Sequence, residues 1–439
     1  MRPWPVQRAE DGIMALMEVS VRRLKRYWKD MGPGLVTGAA DDDPEGVAAY
    51  SQTGAQFGFQ YLWLALVTFP LMSVVQEMCA RIGLVTGRGL AENIRREYSK
   101  PALWTVVALL VFANTLNIGA DLVAMADAAK LLVPAVPVAP VVVFFALVSL
   151  VLQVFIPYSV YAQHLKYLTF ALFAYIITAF LIGLDWPAVL RGAFIPSIPL
   201  SGEAIIVLCA VLGTTISPYL FFWQASQEVE EEIDHGRATI EDREGASAVD
   251  IQKMRVDVWS GMFVSNVVMF FIIAVCAGTL YAHGVTDIRN AADAAAALKP
   301  FAGRWAELLF AAGIIGTGFL GVPVLAGASA YAVAETMHWH EGLYNTLREA
   351  YGFYGVIACS MLVALFIGTF GIDPMKALLY SAVFNGLVAP VMIFFIVHLS
   401  SDMAIMGDWV SGPVTRVSGW LIVATMALVG VASIWVMLA

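Results

Sequence analysis

Charge is scarce in this chain. Asp, Glu, Lys and Arg together make up 13% of its 439 residues, about half the share of an ordinary soluble domain. So low a density excludes a disordered polyelectrolyte. It also excludes a nucleic-acid binder, whose affinity rests on clustered Lys and Arg. Cysteine is sparse too. Cys79, Cys209, Cys276 and Cys359 stand far apart, with no CxxC and no Cys/His cluster. Neither a thiolate metal centre nor a disulfide framework follows from that spacing, and single cysteines in apolar helices act as small packing residues. There are only six histidines. No HExxH and no nucleophile–His pair occurs among them, which argues against an enzyme. Met337-His338-Trp339-His340 places two histidines two apart, on different helix faces, so no metal site is read there. The N-terminus has no signal-peptide core of about 7–15 apolar residues. Its Arg-rich, amphipathic stretch Ile13–Trp28 is expected to lie on the cytoplasmic membrane surface.

What is present is apolar. Hydrophobic residues make up 60% and mean hydropathy is +0.76, whereas soluble domains hold about 45–50% apolar residues. A bilayer span needs about 20 such residues. Eleven segments qualify: 32–56, 60–84, 102–128, 137–157, 164–184, 203–228, 256–282, 305–334, 353–371, 375–398 and 417–438. The chain therefore reads as an all-α polytopic membrane protein embedded in a lipid bilayer. The eighth segment is rich in glycine (Gly313, Gly316, Gly318, Gly321, Gly327), which suits close helix packing. With the N-terminus in the cytoplasm, 19 of the 25 Lys and Arg residues fall on the cytoplasmic side. The other six are Lys130, Arg191, Arg289, Lys299, Arg304 and Lys376. That asymmetry predicts a cytoplasmic N-terminus and an extracytoplasmic C-terminus. The longest polar insert, Glu228–Asp257, carries five acids near its start. It reads as a solvated cytoplasmic loop or a short helix continuing the sixth span, with a cation-attracting vestibule as the alternative.

Against this background the first span is anomalous. Asp41, Asp42, Asp43 and Glu45 surround Pro44 inside an apolar run. Each charge at membrane depth costs about 2.5–3.5 kcal/mol on insertion scales. Four together imply a watery cavity and a bound cation. The sixth span carries a matching polar-proline step, Ser217-Pro218. Proline lacks an N–H and disfavours helix at the preceding residue. Each proline also frees the carbonyl four residues earlier, here Ala40 and Thr214. Free carbonyls are tolerated at membrane depth only where they line a cavity or find a partner. These oxygens, the nearby carboxylates and the hydroxyls of Thr214, Thr215 and Ser217 form an all-oxygen set of potential cation ligands. Breaks in the first and sixth spans fit two five-helix repeats of opposite orientation with the site between them. The expected organisation is a cytoplasmic segment 1–31, a first repeat over 32–184, an inverted second repeat over 203–398 with a cytoplasmic loop at 229–255, and an eleventh helix over 417–438. Two ordinary proline kinks are the simpler alternative.

Several stretches carry a resemblance. They are Gly32-Pro33-Gly34, Asp43-Pro44, Gly54-Ala55-Gln56-Phe57-Gly58, and Ala80-Arg81-Ile82-Gly83-Leu84-Val85-Thr86-Gly87-Arg88. In this order and spacing the chain resembles the Nramp family of divalent-metal transporters. The resemblance implies a LeuT-like fold of eleven helices and alternating access. It also implies that Asp43 and the Thr214 carbonyl contact the metal. The departures are specific. Asp-Pro-Gly-Asn of the family is here Asp43-Pro44-Glu45-Gly46, so Gly46 stands where the Asn ligand would. Met-Pro-His is Ser217-Pro218-Tyr219, replacing the thioether with a hydroxyl. Asp-x-x-Glu of helix 3 is Asp121-Leu122-Val123-Ala124, and the helix-10 Gln is matched by Ala382. Losing the soft sulfur donor removes the bias toward transition metals. Ser217 and Gly46 are expected to enlarge the site, which suits Mg²⁺ with retained waters and one or two carboxylates. The pattern resembles the Nramp-related magnesium transporters.

The candidate metal site therefore comprises Asp43, Ala40, Thr214, Ser217, Glu45, Gly46 and Asp42. Tyr219, Asp121, Gln224 and Asn385 are pathway candidates. Glu77 is expected to pair with Arg81 at i,i+4. The expected cargo is Mg²⁺, with Mn²⁺ also accepted, and no resident cofactor or obligatory protein partner is evident. Proton coupling is not expected, because Tyr219 and Ala124 replace the family's titratable groups. A proton-coupled Mn²⁺/Fe²⁺ importer and a transport-inactive metal sensor are the alternatives.

Overall fold

The computed structural model describes residues 32–156, 170–199, 201–368 and 373–439. The expected amphipathic stretch 13–28 and segment 1–31 fall wholly outside these residues, as do parts of the fourth, fifth and ninth expected spans. The principal helices are α1 (Pro33–Asp41), α2 (Pro44–Phe57), α3 (Trp63–Thr86), α4 (Leu90–Glu97), α5 (Lys100–Leu132), α6 (Val138–Phe155), α7 (Phe173–Leu181), α8 (Trp186–Phe194), α9 (Gly202–Thr215), α10 (Pro218–Asp234), α11 (Ala248–Thr279), α12 (Ala306–Met337), α13 (Tyr351–Gly368), α14 (Pro374–Ser400) and α15 (Pro413–Leu438). Among the described residues, eight helical stretches are long and apolar enough to cross a membrane, counting α9 with α10 as one. The first expected span is divided instead into α1 and α2, neither long enough alone.

Helices that are apolar all round must meet protein or lipid on every side. Both cases occur. Phe144, Leu147 and Val151 on α6, and Leu428, Val431 and Trp435 on α15, are exposed, and form the surface a bilayer would cover. The α9 and α10 halves are almost wholly buried.

Small residues bring the central helices into backbone contact. A methyl group on Gly38 of α1 would strike the backbone of Gly261 on α11, and one on Gly213 of α9 would strike Ala382 and Gly386 of α14. Without a hydrophobic drive between helices in lipid, such close dispersion contact is what holds them together. The Gly-rich α12 works the same way: Gly318 abuts Met125 of α5 and Gly327 abuts Trp223 of α10. α1 and α2 pack on α11, α2 also on α9 and α14, and α12 on α5 and α10. The two broken helices thus lie at the centre of the bundle.

The acidic insert is more ordered than a solvated loop. α10 continues to Asp234, as the helical alternative expected. α11 starts at Ala248, earlier than the expected seventh span, because Ser247 and Asp250 form a capping box. Glu228, Glu232 and Asp257 are buried. The Asp257 carboxylate accepts from the Gly34 amide at 2.5 Å, supplying from α11 the cap that α1 lacks of its own.

Candidate metal site at the two helix breaks

Both breaks are real interruptions of the helical backbone. At the first, Asp42 and Asp43 leave helical geometry (φ −86°, ψ 40° and φ −68°, ψ 174°) before Pro44 restarts the helix. At the second, Ile216 and Ser217 do the same (φ −110°, ψ 65° and φ −91°, ψ 133°) before Pro218. Proline at the first helical position is favoured, because its missing N–H belongs to the unbonded first turn anyway. Asp43 then caps α2: its Oδ1 accepts from the Gly46 amide at 2.9 Å, an arrangement typically worth about 1 kcal/mol.

The breaks meet. The hydroxyl of Tyr219, one residue past Pro218, donates to the Ala40 carbonyl at 3.0 Å and lies 3.1 Å from Asp43 Oδ2. A methyl on Gly46 would sit 3.0 Å from the Asp41 carbonyl and 3.4 Å from Thr214 Oγ1. Glycine at 46 therefore lets the start of α2 sit close to the end of α1, with Thr214 of α9 in ordinary contact beside it. Ser217 Oγ is buried and has no hydrogen-bond partner. The carbonyl ends of α1 and α9 both point into this junction, and such ends favour cations. Asp43, Glu45, Asp121, Thr214, Ser217 and Tyr219 are at most 1% exposed, so the junction is closed to bulk solvent.

The four acids of the first break do not form one cluster, as the sequence alone suggested. Asp41 accepts from Ser265 of α11 at 2.5 Å, and Asp42 lies 3.3 Å from the same hydroxyl. Glu45 instead accepts from Asn385 Nδ2 of α14, at 3.0 and 3.2 Å. Successive residues at a helix end project in different directions, so adjacency in sequence scatters these carboxylates to different helices. Among the described residues no group of three or more His, Cys, Asp or Glu forms a ready-made metal cage. The Ala40 carbonyl is also not free, since Tyr219 engages it. The Tyr219 phenol occupies part of the same junction, between Ala40 and Asp43. Gln224 donates to Glu228 at 2.8 Å instead of reaching the junction.

Asp121 of α5 approaches the junction from a third side. A methyl built on Gly321 of α12 would lie 2.9 Å from Asp43 Cβ, 3.8 Å from Asp43 Oδ2 and 3.9 Å from Asp121 Oδ2. Gly321 thus makes room for the Asp43 side chain, and the carboxylates of Asp43 and Asp121 both lie beside it. Gly321, Ser265 and Asn117 were missed by sequence reasoning. Asn117 was accessible to it, four residues before Asp121 on the same helix face, whereas nothing local marks Ser265. Glu77 lies 3.6 Å from Arg81 as expected, but its closer partners are Arg255 at 2.9 Å and the Trp259 indole N–H at 2.8 Å.

The comparisons with known proteins agree with one another. A family model described as "Nramp: Natural resistance-associated macrophage protein-like" matches residues 34–436. Among curated relatives, the divalent metal cation transporter MntH of Clostridium acetobutylicum is 30% identical over 415 residues, covering 93% of this chain and 91% of that one. MntH of Aeromonas hydrophila is 25% identical over 401 residues, covering 90% and 92%. Among solved structures, a manganese transporter of Eremococcus coleocola matches with a TM-score of 0.72 at 20% identity, covering 94% of this chain and 87% of that one. Mhp1, a nucleobase-cation-symport-1 family transporter, matches with a TM-score of 0.54 at 14% identity, covering 93% and 92%. These structural likenesses carry the fold, which is LeuT-like. With a family model spanning nearly its whole length and a relative at 30% identity, the chain belongs to the Nramp family.

Proposed function

We propose that this chain is a transporter, not an enzyme, and that it moves divalent metal ions across the cell membrane by alternating access. Mg²⁺ is the preferred cargo and Mn²⁺ is also accepted. The observation that carries this reading is the chemistry of the junction. Asp43, the carbonyl end of α9 at Thr214, Ser217 and Tyr219 present oxygen alone, with neither a thioether nor an imidazole among them. Hard oxygen donors suit Mg²⁺, which keeps several waters and needs only one or two carboxylates. Sulfur would select softer ions. The names of the curated relatives support divalent metal as the cargo class.

Transport without proton coupling follows from the same residues. Tyr219 and Ala124 stand where the resemblance expects a histidine and a glutamate. An inside-negative potential then supplies the drive, about 4.6 kcal/mol per 100 mV for a dication. In this reading the chain has its N-terminus in the cytoplasm and its C-terminus outside, and comprises two inverted repeats over 32–184 and 203–398. The second reading is a proton-coupled manganese importer, for which the manganese transporter of Eremococcus coleocola supports the cargo alone.

Flux into proteoliposomes separates the two. Saturable Mg²⁺ entry with no change in internal pH supports the first. Mn²⁺ entry indifferent to excess Mg²⁺ and accompanied by acidification supports the second. Asp43→Ala should reduce flux to background while the protein remains folded by circular dichroism. Normal flux in that variant would refute the site.

A further inference from the structure

We infer that the transported cation is bound across the gap between α5 and the first break, with the carboxylates of Asp121 and Asp43 facing it and Asn117 supplying a third oxygen. This rests on the transport reading and specifies the ligand set of its site. Asp121 is fully buried, and neither of its carboxylate oxygens has a hydrogen-bond partner. Asn117, one turn earlier on the same face of α5, is also fully buried, and its amide oxygen and nitrogen are both unpartnered. Four polar atoms on one helix face are thus left unpaired. Such groups ordinarily find partners, and leaving each unpaired costs about 1–3 kcal/mol.

The direction in which they point is informative. Asn117 faces Asp43, and Asp121 faces the amide of Glu45 at the start of α2, in both cases beyond hydrogen-bonding geometry. Gly321 of α12 lies beside both carboxylates: a methyl there would stand 3.8 Å from Asp43 Oδ2 and 3.9 Å from Asp121 Oδ2. No Lys or Arg comes near enough to either aspartate to form an ion pair among the described residues. Two carboxylates and an amide with no protein counter-charge form a set that a cation would satisfy. The other acids of the first break each have a side-chain neighbour, Asp41 and Asp42 at Ser265 and Glu45 at Asn385, although Asp41 Oδ1 is left without a partner. Among these acids Asp121 is the one with neither carboxylate oxygen partnered. Two carboxylates with water completing the shell match the demand of Mg²⁺.

The test is calorimetric titration of MgCl₂ and MnCl₂ into the purified full-length protein and its D43A, D121N and N117A variants, alongside proteoliposome flux and thermal melts in EDTA. D121N should weaken Mg²⁺ binding at least about tenfold. Its melting temperature in EDTA should stay the same or rise, because an unpaired buried carboxylate has been removed. N117A should weaken binding to a smaller degree, and carries the test if D121N does not fold. Loss of binding heat in D43A with wild-type affinity in both D121N and N117A overturns this assignment and leaves the transport reading standing. Absence of both binding heat and flux in the wild type overturns the transport reading, and this assignment with it.

Discussion

The hydroxyl of Tyr219 donates to the carbonyl of Ala40 at 3.0 Å, across 179 positions of sequence. Ala40 is the residue whose helical partner is removed by Pro44. An oxygen orphaned by one proline is therefore satisfied by a side chain that follows the other. The same hydroxyl lies 3.1 Å from Asp43 Oδ2. It has one proton to give, so a cation approaching Asp43 competes with it for oxygen lone pairs. The tie between the two breaks and the occupancy of the site are thus linked.

Tyr219→Phe keeps the ring and removes that tie. The Ala40 carbonyl is then unsatisfied in a buried setting, at a cost of about 1–3 kcal/mol. The melting temperature in EDTA should fall, and saturating Mg²⁺ should restore more stability in the variant than in wild type. Equal metal-induced shifts in the two proteins would show that the hydroxyl and the ion do not compete.

Gly321→Ala tests the space beside Asp43. The added methyl would lie 2.9 Å from Asp43 Cβ, and overpacking of this kind costs about 1–3 kcal/mol. Flux should drop sharply while far-UV circular dichroism stays unchanged. Wild-type flux would mean that α12 can retreat from the first break at no functional cost.

Ser217→Met puts a thioether beside the junction. The ratio of Mn²⁺ or Cd²⁺ uptake to Mg²⁺ uptake should rise, because sulfur prefers the softer ions. An unchanged ratio in competition assays would break the link between oxygen-only lining and selectivity.

Glu341 lies between α12 and α13, outside the membrane-crossing helices. Burial, and then the charges of Glu335, Glu92 and Glu230, raise its carboxyl well above the ordinary value of 4.5, with Arg243 opposing. The folded state thus holds a proton that the unfolded state releases. The resulting stabilisation is full below 4.5 and is lost as pH rises through the folded value. Glu341→Gln should therefore melt higher than wild type near about pH 8 and show a flatter dependence of melting temperature on pH. A variant that melts lower at alkaline pH would contradict the buried-acid account.

Much of this was legible in the chain. Composition together with continuous apolar runs of about 20 residues required a helical membrane protein, because a barrel strand alternates and is only about half as long. Asp43-Pro44 and Ser217-Pro218 determined where two helices break, since a missing N–H is a local covalent fact. The motif series by itself resembles the Nramp family. What the sequence could not determine was direction. Four acids in five positions looked like one cluster, yet α11 takes two of them through Ser265 and α14 takes Glu45 through Asn385. Which neighbour a helix-end side chain meets depends on how helices distant in sequence are rotated and packed. The pairing of Tyr219 with Ala40, the room left by Gly321 and the placing of Asp43 and Asp121 beside it all arise from that packing. Covalent geometry set the position of the breaks, and the tertiary structure decided which oxygens face one another across them.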